Sequence, residues 1–219
     1  MPTPITLLST LISRLGIRLP LPLLLLSMCV SLTAQAQQPG RTGPEIVRTS
    51  CYMCHSAHGN NPDLAFIPRL AAQNPVYIKE QLEAFRDGSR ADPPATIYMW
   101  PIAQTLSAQQ IDQVAAWFAS QPPPTPFPPG PSASEGKEIF LHGILKADVP
   151  ACASCHGPKA AGNGIFPRLA GQNAQYLLAQ LRYFRSGVRN DKNADIMKQV
   201  AIHLTDAQMS AVADYLSSL

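Results

Sequence analysis

Apolar residues recur at helical spacing in two widely separated stretches of the chain. Ile78, Leu82 and Phe85 form one such face, and Leu177, Leu181 and Phe184 form another. Two further faces follow short polar signals. Ser107 with Gln110 precedes Ile111, Val114 and Phe118, and Thr205 with Gln208 precedes Met209, Val212 and Leu216. Each signal is a capping box, in which the hydroxyl and the Gln side chain satisfy backbone groups at a helix start. No segment alternates convincingly with period two. The pattern predicts an all-α protein.

These faces belong to a repeat. PRLAAQNPVYIKEQLEAFRDGSR, from Pro68, and PRLAGQNAQYLLAQLRYFRSGVR, from Pro167, are identical at 13 of 23 positions without a gap. MWPIAQTLSAQQIDQVAAWF, from Met99, then matches MKQVAIHLTDAQMSAVADYL, from Met197. A period near about 100 residues is too long for a solenoid unit and marks a duplicated domain. Between the copies lies QPPPTPFPPGP, residues 121–131, in which seven of eleven residues are proline. Proline fixes φ and lacks a backbone donor, so the stretch predicts a semi-rigid, polyproline-like spacer rather than a helix or inner strand. The alternative is a long ordered loop wrapping one domain. Each half has about 85–95 residues, small for a self-sufficient core unless a large apolar cofactor fills its centre.

The N-terminus changes the picture of the compartment. Arg14 and Arg18 precede an apolar run from Leu19 to Leu32, and Ala34-Gln35-Ala36 follows. That is the layout of a secretory signal peptide cleaved near Ala36, and it predicts a periplasmic protein. The run is short for a bilayer span, which needs about 20 residues. Removing residues 1–36 also removes Cys29 and lowers the formal net charge from +3 to near +1, which is no nucleic-acid footprint.

Four cysteines remain, and all sit in two copies of one motif: Cys51-Tyr-Met-Cys54-His55 and Cys152-Ala-Ser-Cys155-His156. On a helix, positions i, i+3 and i+4 share a face. Two thiols there can add to the vinyl groups of one haem while the histidine reaches its iron, which is the chemistry of c-type haem attachment. Zinc-binding CxxC pairs are usually about 15 to 20 residues apart. These motifs are 101 apart, in separate repeats. A thioredoxin-like dithiol would need a βαβ context, which is absent from the pattern. Two covalently bound haem c groups are the expectation.

His55 and His156 supply one face of each iron; the opposite face calls for Met, His, Lys or nothing. Met53 lies between its own cysteines, on the wrong side. Met209 aligns with Ile111 and reads as packing. Met99 and Met197 align with each other and follow the first cysteine of their motif by 48 and 45 residues. They are the candidate axial ligands. His58, His142 and His203 read as surface or packing residues.

The order CxxCH, a loop ending in PRLAGQ, then M-x-x-(I/V)A-x-x-L(S/T), twice over, resembles the di-haem cytochrome c4 family across nearly all of residues 43–219. GKEIFLHG…VPACASCHG, before the second motif, is similar to it too. The resemblance implies two tandem class I cytochrome c-like domains, residues 37–120 and 132–219, joined by the Pro-rich linker 121–131. It implies His/Met ligation of both haems, with the carbonyls of Pro68 and Pro167 bonded to the histidines' other ring nitrogens. It also implies that Gly136 and Phe140 meet the last helix at Tyr215. The first half departs here: Gly43 is followed four on by Val47, with only a stub of helix, and Ser56 stands where the second motif has Gly157. Two such haems make an electron relay rather than an enzyme. The implied partners are a cytochrome bc complex or a periplasmic dehydrogenase as donor and a terminal oxidase as acceptor, with at most peripheral membrane association and no nucleic acid. The alternatives are the cytochrome subunit of a flavoprotein, sulfide-type dehydrogenase, and a di-haem peroxidase, which would need an open iron site.

Overall fold

Helices in this chain start where side chains can cap them. The computed structural model describes residues 40–219; residues 1–36, expected to be a signal peptide, lie outside the described residues. In the first half, α1 (Gly43–Ile46) runs through a π-helical turn (Val47–Cys51) straight into α2 (Tyr52–His55). Then come α3 (Pro75–Asp87), a second π-helical turn (Ala95–Met99), α4 (Trp100–Ala103) and α5 (Ala108–Ala119). The second half has α6 (Ala133–His142), a 3₁₀ turn (Leu145–Ala147), α7 (Ala153–His156), α8 (Ala174–Ser186), α9 (Ala194–Ala201) and α10 (Asp206–Ser217). There is no strand among the described residues, only isolated bridges.

Both capping boxes form. Ser107 Oγ accepts from Gln110 N at 3.2 Å, and Thr205 Oγ1 accepts from Gln208 N at 3.2 Å. Each Gln side chain reaches back to its cap. The apolar faces read from the sequence are buried, apart from Leu181, which is half-buried. They build two separate cores, one per half. In the second half α6 crosses α10 so closely that a Cβ on Gly136 would lie 1.8 Å from the Ala211 carbonyl oxygen. Phe140 and Tyr215 pack there at 5.6 Å between ring centroids. Gly43 makes the equivalent but looser approach to α5, with a Cβ position 2.8 Å from Gln113 O. The stub of helix expected in the first half is the start of a longer continuous run, because no loop separates α1 from the CxxCH turn.

The stretch 121–131 forms neither helix nor strand, yet it is held along its length. Phe127 N donates to Ser217 O at 2.9 Å, at the end of α10. Arg69, from the first half, donates to Thr125 O and Gly171 O, both at 2.8 Å, and lays its guanidinium 3.8 Å over the Phe127 ring. The segment is an ordered strap across the second half, pinned by the first.

The halves meet through polar groups with a local two-fold. Gln73 accepts from Arg168 N at 2.7 Å and donates to Arg168 O at 2.9 Å; Gln172 does the same to Arg69 at 2.7 and 2.9 Å. These glutamines occupy matching positions of the repeat.

Candidate functional site: two haem crevices

Each CxxCH turn ends on a histidine that is buried and tied down. His55 is 6% exposed and His156 5%. His55 Nδ1 lies 3.0 Å from Pro68 O, and His156 Nδ1 lies 3.0 Å from Pro167 O. A carbonyl only accepts, so Nδ1 carries the proton and Nε2 keeps its lone pair for a metal. Burial pushes both imidazoles below the ordinary histidine range, and the prolyl carbonyls pull back more weakly. The rings are therefore neutral, ligand-competent donors at neutral pH.

None of the four cysteines is paired in a disulfide, so each sulfur is available for a thioether. An apolar cavity is lined by Cys51, Cys54, His55 and Met99 in the first half, and by Cys152, Cys155, His156 and Met197 in the second. It extends continuously across the inter-domain face. All eight candidate residues are thus brought to one lined space, four on each side. Two thiols, an imidazole lone pair and a thioether form the donor set that a covalently bound haem requires. The residues present fit the group.

The other candidates fall elsewhere. Met53 is 82% exposed and Met209 is fully buried in the core cluster, and neither lines the cavity. His58 faces Gln121 at 2.8 Å on the surface, while His142 and His203 are exposed.

Two features were not read from the sequence. The first is a buried polar core between the crevices. Arg90 donates to Asp92 at 2.7 Å, Gln81 at 2.5 Å and Gln180 at 2.8 Å. Arg189 donates to Asp191 at 3.0 Å, Gln180 at 2.6 Å, Gln81 at 2.9 Å and Tyr77 at 3.0 Å. Both arginines and both aspartates are buried. Burial opposes ionisation of Asp191, but Arg189, with the Gln81 amide and Arg90, together outweigh it and hold that carboxyl below its ordinary range. The available signal was the repeat: Gln81/Gln180, Arg90/Arg189 and Asp92/Asp191 are polar, yet identical in both copies.

The second is the π-helical turn ending on Met99. Nine positions separate Arg90 from Met99, but only eight separate Arg189 from Met197. A π turn accommodates one extra residue within a helix. Aligning Ile97 with Ile196 makes Tyr98 the extra residue, and it lines the first crevice. Part of the 48-against-45 spacing difference recorded this.

Comparison with known proteins agrees with the geometry. The cytochrome c family model matches residues 41–122 and 133–219. A cytochrome c-552 from Acidithiobacillus ferridurans is 43% identical over 178 residues, covering 80% of this chain and 76% of its own. A thiosulfate dehydrogenase electron acceptor from Thiomonas intermedia is 39% identical over 173 residues, covering 77% and 78%. The cytochrome c4 structure from Acidithiobacillus ferrooxidans superposes with a TM-score of 0.74 at 43% identity, over 79% of this chain and 100% of that one. The chain belongs to the cytochrome c family, as a two-domain electron carrier of the c4 type with two covalently bound haem c groups.

Proposed function

We propose that the mature chain is a periplasmic electron shuttle in which each haem is held by its own half. Cys51 and Cys54 form the thioethers of the first haem, and Cys152 and Cys155 those of the second. His55 with Met99, and His156 with Met197, are the axial pairs, while Pro68 and Pro167 orient the histidines. The functional units are residues 37–120 and 132–219, joined by 121–131 after loss of residues 1–36. No helix among the described residues is long and apolar enough to cross a membrane.

The observation that carries this reading is the doubled donor set, with one imidazole and one methionine on each side of a shared apolar cavity. Haem bound there would supply a one-electron iron couple, and ligation by Met together with His would raise its potential relative to two histidines. Met99 and Met197 would leave the iron no position for a substrate, and the apolar walls of the cavity exclude water. The buried, mutually bonded interface holds the two crevices in fixed register, so electrons pass between them without domain motion. Donors are a cytochrome bc complex or a dehydrogenase, and the acceptor is a terminal oxidase. Relatives named as electron acceptors of a thiosulfate dehydrogenase favour the dehydrogenase as donor.

An optical redox titration of the haem-loaded protein tests it. Both haems should titrate reversibly at positive potential and show the red charge-transfer band of Met-to-Fe(III) ligation. A haem that lacks the band, titrates low or takes up carbon monoxide would refute His/Met ligation in that half and favour a peroxidase-type site.

A further inference from the structure

The peptide unit that orients each histidine makes a second hydrogen bond, on its far side. Pro68 O accepts from His55 Nδ1 at 3.0 Å, and Arg69 N, in the same planar unit, donates to Gln172 Oε1 at 2.7 Å. Pro167 O accepts from His156 Nδ1 at 3.0 Å, and Arg168 N donates to Gln73 Oε1 at 2.7 Å. Each glutamine comes from the opposite half of the chain. In a trans peptide the C=O and N–H point in opposite directions, so glutamine, peptide and imidazole form a chain of two hydrogen bonds. The partners fix which end of each amide is which. Gln172 Oε1 also accepts from Asn173 N at 3.0 Å, and its Nε2 donates to Arg69 O at 2.9 Å. Gln73 repeats both bonds, with Asn74 N at 2.9 Å and Arg168 O at 2.9 Å. Gln73 and Gln172 are both buried. Asn173 adds a bond to Ile67 O at 2.6 Å, so residues on both sides of Pro68 are gripped from the second half.

We infer that Gln172 and Gln73 are positioning residues that act across the interface, each setting the electron donation of the other half's histidine through one peptide unit. The inference rests on the His/Met carrier reading above. The physical link is polarisation. An acceptor on the amide N–H pushes electron density onto the carbonyl oxygen, since hydrogen bonds in a chain strengthen one another by about 10–30% per bond. A stronger carbonyl acceptor draws the Nδ1 proton and makes Nε2 the better donor. A better donor favours ferric over ferrous iron and lowers the potential. Burial keeps water from competing for either bond, so the polarisation is not diluted. Each half therefore holds down the potential of the haem in the other. The effect exists only while the halves are joined, so the relay reaches its working potentials as an assembled pair rather than as two independent domains.

The test uses the full mature, haem-loaded chain carrying Gln172→Leu or Gln73→Leu, which keep the bulk and remove the acceptor. In the reduced state the His55 and His156 Nδ1 protons give separate NMR resonances, each assigned through contacts within its own half. Following them through a stepwise redox titration reads the haems one at a time. Gln172→Leu should raise the reduction equilibrium constant of the His55 haem about threefold, the size expected from losing one bond of a polarised chain, and leave the His156 haem unchanged. Gln73→Leu should do the reverse. A shift in the glutamine's own half, equal shifts in both haems, or no shift in either overturns the proposal. If a variant does not mature, the wild type decides through the scalar coupling across the hydrogen bond from Arg69 N to Gln172 Cδ. That coupling should weaken when the His55 haem is reduced; an absent coupling, or one indifferent to reduction, overturns the proposal. The optical spectrum of the wild type separates the two readings. A haem without the Met-to-Fe(III) band counts against the carrier, whereas both bands present with uncrossed shifts counts against the glutamines alone.

Discussion

The two halves solve one problem with different margins. In the second, α6 and α10 lock at Gly136, a loop separates α6 from α7, and Gly157 follows the ligand histidine with φ 79°. In the first, α1 runs into the CxxCH turn through a π turn, and Ser56 holds φ 63° and ψ 167°, a region essentially reserved for glycine. Its hydroxyl accepts from Asn60 N at 3.1 Å, a partial offset. A second π turn delivers Met99. Both crevices nevertheless have the same 3.0 Å histidine–proline bond. The difference teaches that the histidine–proline bond is the same in both halves while the scaffold behind it differs.

The comparison breaks most sharply at the face the halves share. Arg189→Leu leaves the buried Asp191 carboxylate without its counter-charge and with only the Gln81 amide, at 3.0 Å, as a partner, and should destabilise the protein by about 3–5 kcal/mol in denaturant unfolding. Arg90→Leu should cost at least as much, since it leaves the Asp92 carboxylate, 0% exposed, with no partner, although it spares the bond Arg189 makes with Tyr77. Equal, small effects would show that the interface is wetter than its burial implies.

The helix crossings come next. Gly136→Ala forces a methyl into the Ala211 carbonyl and should cost about 3 kcal/mol, while Gly43→Ala, with more room, should cost about 1 kcal/mol. A reversed order in thermal unfolding would make the first half the more tightly locked. The turn after each histidine is a smaller effect. Gly157→Ser meets nothing within 4 Å, so its cost is backbone strain alone, about 1–2 kcal/mol. Ser56→Ala keeps the strain and loses the bond to Asn60, for about 1 kcal/mol.

The pH effect is the mildest near neutrality. The folded pKa of Asp191 is depressed by Arg189, so the unfolded chain binds the proton more readily. The stabilisation is complete above about pH 4 and is lost as pH falls through the depressed folded value. Hydrogen exchange of the Arg69 and Arg168 amides should accelerate relative to other buried amides in that acid window and nowhere above it. Uniform protection down to the point of global unfolding would contradict this.

Much of this was legible in the sequence because the features are local or repeated. Helical spacing placed the buried faces, capping boxes placed the starts of α5 and α10, and CxxCH placed the ligand turns. The Pro-rich stretch was legible as non-helical and extended, but not as a strap, because its anchors, Arg69 and Ser217, are distant in the chain. The arginine core was missed for a related reason. Periodicity treats polar residues as outward-facing, and only the identity of Arg90 with Arg189 hinted otherwise.

From the chain alone come the all-α class, the duplication and the eight candidate haem residues that line the cavity, since each depends on short-range spacing and side-chain chemistry. The pairing of the halves about a local two-fold, the buried ion pairs and the joined crevices needed the folded protein. Those features depend on which surfaces of two independently folded cores come together, and burying Arg90 and Arg189 is tolerable only once both halves supply the partners.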